Sequence, residues 1–165
     1  MYTLHCTKPL LAELKHWPSD RRGAVGETST RLGDWYVKSV DLPSGNLFLC
    51  TNERSFLSVV VPAAEPARLP EDLAVGVGLL LYGIGADVRF SGRETFEMRQ
   101  HALAPTKNRS LVAHMNDRAI RLAHHRQRTS DSLEDISLWL AQIPVNSKEF
   151  VRPWELALAV LAAAR

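Results

Sequence analysis

Cysteine is scarce: Cys6 and Cys50 are the only two in 165 residues. One bridge is the most they allow, so a disulfide framework is excluded. No Cys-x-x-Cys or His-x-x-x-His pair stands at metal-ligand spacing. His5 and Cys6 are adjacent, and on a strand neighbours point to opposite faces, so they cannot chelate one ion together. Neither a metal nor a cofactor is expected. Long apolar runs are also missing. The longest, residues 73–84, is interrupted by Gly76 and Gly78 and falls short of the ~20 residues that a membrane span needs. No basic start leads into an apolar run, so no secretory leader is expected. These absences point to a cytoplasmic protein with reduced thiols and no membrane partner. Neither charge dominates: 20 Lys and Arg stand against 18 Asp and Glu. That balance excludes a uniformly basic nucleic-acid coat. Nine Gly and nine Pro are too few for a linker or a low-complexity chain.

The short catalytic signatures are absent as well. There is no Gly-x-Ser-x-Gly, no phosphate-binding loop and no His-Glu-x-x-His. Gly83-Ile84-Gly85 is not a dinucleotide fingerprint, because Val88 stands where a third glycine is needed and the pair ends a helix. No residue is assigned a catalytic role.

What is present reads as one domain over residues 1–165. Residues 3–6 form a short strand. Thr7, Lys8 and Pro9 then open a helix with Leu10, Leu11 and Leu14 as its apolar stripe. Residues 17–33 are a long loop. Residues 34–42, 46–51 and 55–61 read as strands joined by two tight links, an antiparallel meander. Pro70 opens a helix that is apolar nearly all round and so is expected to be buried. Residues 94–103 fit either a strand or a helix followed by a strand. The clearest helix covers residues 108–128, followed by a helix capped at Ser132 and a last one from about residue 153. The fold class is α+β: an antiparallel β-meander sheet of about four or five strands packed by several helices. Phe56, Val60, Leu79, Leu80, Met115 and Leu122 are expected in the core.

Charge is concentrated on the 108–128 helix. From Lys107 to Arg128, six Lys or Arg stand against Asp117 alone. Arg118, Arg121, His125 and Arg128 lie opposite the apolar face and form a candidate basic face for a polyanion. A solvated face with Asp117 paired to Arg121 is the plainer reading. Arg109 and His114 match the loose Arg-x4-His pattern of helical ribonucleases from toxin and defence systems. They lie about 140° apart on a helical wheel, which suits a shared site poorly.

Several stretches together resemble one family. They are Leu4-His5-Cys6-Thr7-Lys8, Leu32-Gly33-Asp34-Trp35-Tyr36, Thr51-Asn52-Glu53, and Asn108-Arg109-Ser110 followed by Met115-Asn116-Asp117. They are similar to the ordered motifs of a group of small bacterial proteins classed as a domain of unknown function, over about residues 3–160. The resemblance implies an α+β domain and no particular activity. The polar residues that carry it are Lys8, Trp35, Asn52, Glu53, Arg109, Asn116 and Asp117, and they form a candidate polar cleft. The functional expectation is a non-enzymatic binding module for a protein or nucleic-acid partner. The alternative is an enzyme acting on RNA or a nucleotide, of the toxin or defence ribonuclease type. The oligomeric state is left open.

Overall fold

The structure is a computed structural model that describes residues 1–16, 22–145 and 150–163. Its strands are β1 (Tyr2–Cys6), β2 (Trp35–Val40), β3 (Leu47–Asn52), β4 (Ser58–Pro62) and β5 (His101–Pro105). Its helices are α1 (Lys8–Lys15), α2 (Leu69–Gly83), α3 (Val88–Glu97), α4 (Arg109–Arg128), α5 (Leu133–Gln142) and α6 (Pro153–Ala163). Residues 17–21 of the expected long loop lie outside the described residues. Residues 94–103 resolve as the end of α3 followed by β5.

The strands form one mixed sheet in the order β4-β3-β2-β1-β5. The expected meander is present as β2-β3-β4, antiparallel throughout. The wholly antiparallel sheet needs correction, because β1 runs parallel to both β2 and β5. Parallel neighbours require a long crossover. The stretches 7–34 and 63–100 supply two, each carrying helix, whereas tight links reveal only the antiparallel pairs.

Side chains alternate along the strands, so both sheet faces are buried. One face presents Leu4, Cys6, Trp35, Val37, Cys50 and Val59 to α1, α2 and α6, through Leu10, Leu73, Val77, Leu80 and Leu161. The other presents Val40, Leu47, Leu49 and Val60 to α4 and α5, through Ala119, Leu122, Ile136 and Leu140. Beside this second cluster, Tyr36 packs against Leu111 and Met115. No helix among the described residues is long and apolar enough to cross a membrane.

Two expected core positions need correction. Leu79 is 46% exposed. α2 lies on the sheet through Leu69, Leu73, Val77, Leu80 and Leu81, and among the described residues no element covers Leu79 on its outer side. Phe56 is half-buried, because it sits in the β3–β4 turn with φ at 58°. Close seating of α2 depends on Gly76: a Cβ there would lie 2.6 Å from Val59 Cγ1.

Candidate functional site

The polar residues proposed for a cleft do not converge. Trp35 is fully buried on the α1–α2 side of the sheet. Asn52 is also fully buried, and its amide is saturated. Nδ2 donates to Leu32 O at 2.9 Å and Asp34 O at 3.1 Å. Oδ1 accepts from Arg54 N, Ser55 N and Ser55 Oγ at 2.9–3.1 Å. Asn52 therefore builds the β3–β4 turn and has no capacity left for a ligand. Lys8 and Arg109 are exposed at the starts of α1 and α4. Asn116 accepts from Lys38 Nζ at 2.6 Å, and Asp117 pairs with Arg121 at 2.8 Å on the exposed side of α4. Glu53 donates its amide to Asp34 O at 3.1 Å.

Instead, the sheet brings together a network with no local sequence signal. His5 and Tyr36 face each other across β1 and β2, ring centroids 4.6 Å apart. His5 Nε2 lies 3.3 Å from Asp34 Oδ2, and Nδ1 lies 3.1 Å from Pro105 O. Asp34 Oδ1 accepts from Thr3 N at 2.9 Å and Thr28 Oγ1 at 2.6 Å. Burial opposes the Asp34 charge, but the bonds from His5, Thr28 and Thr3 outweigh it and hold the carboxyl at about 2. Both His5 nitrogens face acceptors within the fold, so neither is left to move a proton for a substrate. Above His5, the Tyr36 hydroxyl is buried beside the backbone amides of Lys107 and Asn108. Burial and then Glu53 raise its pKa, while the Asn108 and Lys107 amides pull it down.

His114 is likewise engaged. Its Nε2 accepts from Arg118 Nε at 3.2 Å, and its ring meets Phe56 edge-on at 5.0 Å. Burial, followed by the Arg118 charge, pushes it down to about 4. Burial raises the Cys6 thiol to about 12 and the Cys50 thiol well above its usual range, far from the thiolate chemistry a nucleophile needs. Among the described residues, no three His, Cys, Asp or Glu side chains cluster to hold a metal.

The basic face requires one correction. Arg118 is 2% exposed, and its Nη2 donates to Ile143 O at 2.9 Å and Pro144 O at 3.1 Å. It satisfies carbonyls at the end of α5 that the helix leaves without partners. Arg121, His125 and Arg128 stay together with His124, Thr129 and Trp139 around a cavity of about 250 Å³. Trp139, contributed by α5, stacks on His125 with centroids 4.1 Å apart.

Sequence reading also missed an apolar ridge on α2. Val75, Leu79 and Tyr82, spaced i, i+4, i+7, are 63%, 46% and 83% exposed, and so share one side of the helix. A groove of about 480 Å³ runs along one flank, between α2, β4 and α5. A second of about 660 Å³ runs along the other, between α2 and α3. Phe96, 61% exposed, lines the second groove. Glu65, Asp72 and Glu134 border the first groove along with Arg68, which is already paired with Asp72 at 3.4 Å.

No curated protein matches the chain in a sequence comparison. The family model of the domain of unknown function DUF6933 matches residues 3–156, and the chain belongs to that family.

Proposed function

We propose that this protein is a non-enzymatic binding module that docks a protein partner on the outer side of α2. One observation carries the reading: large apolar side chains, Val75, Leu79 and Tyr82, stand out in solvent on one line with a groove on either flank. Single exposed apolar residues need no explanation, whereas a contiguous apolar patch marks an interaction surface. The fitting partner is an amphipathic helix that sets apolar anchors into the grooves. Its flank is basic, because Glu65 and Glu134 leave the rim of the β4–α5 groove with a net negative charge. The alternative, an enzyme acting on RNA or a nucleotide, has less support. The Arg109 and His114 pattern that suggested it is not available for catalysis, because His114 Nε2 already accepts from Arg118 Nε at 3.2 Å.

The test uses two labelled model peptides, an amphipathic Leu/Lys helix and its Leu/Glu counterpart, in fluorescence anisotropy titrations. The Leu/Lys peptide is expected to bind, and Leu79→Asp and Val75→Asp to weaken it at least about tenfold, the loss of a hot-spot contact. Equal affinity for both peptides, or binding untouched by either substitution, overturns the reading. Self-association that Leu79→Asp abolishes, seen by sedimentation equilibrium, also overturns it by assigning the ridge to a second copy.

A further inference from the structure

We propose that the cavity between α4 and α5 binds a nucleotide unit, an unpaired base with its phosphate, at a site separate from the α2 ridge. The cavity of about 250 Å³ is lined by Arg121, His124, His125, Arg128, Thr129 and Trp139. Its floor is aromatic: the His125 and Trp139 rings are stacked 4.1 Å apart at 23°. His125 is held in that position by Asp131 Oδ2, 2.8 Å from its Nε2. Its rim is cationic. Arg128 is exposed and, like His124, makes no hydrogen bond or ion pair among the described residues. Arg121 is exposed and, among the described residues, held by Asp117 alone, an i,i+4 pair in solvent that a phosphate replaces at little cost.

A helix C-terminus favours cations in its last turn, which accounts for His125, Arg126 and Arg128 at the end of α4. It accounts neither for Arg121, two turns back, nor for Trp139 on another helix. Asp117 and Asp131 already have partners, Arg121 and His125 respectively, and Asp135, one turn before Trp139 on α5, accepts from Ser132 Oγ. An aromatic surface with guanidinium groups at its edge is the chemistry by which proteins hold unpaired bases. Two sources of that chemistry exist, a free nucleotide and a single-stranded RNA or DNA.

The experiment is fluorescence anisotropy of labelled single-stranded oligo(U) and oligo(dT) over a salt series. Unlabelled AMP, inorganic phosphate and a duplex serve as competitors. Two arginine contacts predict a slope of log affinity on log salt near −1.4 for a single strand, and Arg128→Ala or Arg121→Ala should each remove about 0.7. Trp139→Leu should weaken binding about tenfold with the slope unchanged, while Trp139→Phe keeps most of it. Arg128→Ala lies on the surface and keeps the test decisive should Trp139→Leu fail to fold. Arg89→Ala, on α3, should change nothing. Competition by AMP at concentrations near those of the oligomers identifies a free nucleotide, and competition by oligomers alone identifies a nucleic acid. No binding at about 50 mM salt overturns the proposal. So does duplex or inorganic phosphate competing as well as single strands, or binding that survives loss of both arginines.

Discussion

The Ser137 hydroxyl accepts the Val60 amide at 3.0 Å and donates to Leu133 O at 2.8 Å. One side chain of α5 thus satisfies an edge amide of β4. β4 is an edge strand, and an open edge is a template for pairing with other chains. Pro62, at the end of the same strand, has no amide to offer. At β4 the edge is therefore blocked at two positions, the Val60 amide and Pro62.

Ser137→Ala should therefore cost about 1–3 kcal/mol, because it leaves a buried backbone amide without its acceptor. Urea unfolding followed by circular dichroism measures it. A loss below about 0.5 kcal/mol would mean that water reaches the strand edge and replaces the hydroxyl.

Gly76 and Gly92 both lie inside helices, where alanine is intrinsically favoured over glycine by about 0.8–1.0 kcal/mol. Their surroundings separate them. A Cβ at Gly92 meets nothing within 4 Å, whereas one at Gly76 would lie 2.6 Å from Val59 Cγ1. Gly92→Ala should stabilise by up to about 1 kcal/mol. Gly76→Ala should destabilise by about 1–3 kcal/mol, since overpacking outweighs the helix gain. The two unfolding midpoints should move in opposite directions, and a stabilised Gly76→Ala would mean that α2 does not sit so close to β4.

Acid should weaken the fold in two stages, by two residues. His114 has a folded pKa near 4, below the unfolded value of about 6.5. Its neutral form suits the fold, so the stability it protects is present above about pH 6.5 and falls as pH drops towards 4. Asp34 has a folded pKa near 2, below about 3.9 unfolded. Its contribution, about 2 kcal/mol, is present above that unfolded value and is lost between about pH 5 and 2. His114→Gln should flatten the upper stage of a stability–pH curve and Asp34→Asn the lower one. Urea midpoints at half-unit pH intervals check both, and a wild-type curve level from pH 7 to 4 would contradict the His114 assignment.

Local signals were enough where the physics is local. The links after residues 42 and 51 are too short for anything but antiparallel neighbours, and β2-β3-β4 follows. The apolar spacing of α4 identified Leu111, Met115 and Leu122, which are buried. Asn108 accepts from Leu111 N and Ser132 from Asp135 N, the capping geometry that their positions before apolar stripes imply. The chain belongs to a domain family of unknown function, as the resemblance implied, yet Trp35 and Asn52 are buried in the scaffold. A motif residue that builds a turn and one that binds a ligand look alike in a single sequence.

The sequence by itself determined the class of the fold, its helices apart from α3 and its antiparallel pairs, because periodicity, capping and short links act within a few residues. Only the tertiary structure decided where β1 and β5 enter the sheet, since parallel strands are joined by long crossovers that leave no local mark. It also decided which charges are free. Arg118 and Arg121 differ by three residues on one helix, yet the carbonyls of Ile143 and Pro144 bury the first while solvent keeps the second. Trp139 meets His125 for the same reason: contacts between helices depend on how the chain packs, and periodicity within one helix carries no information about its neighbour.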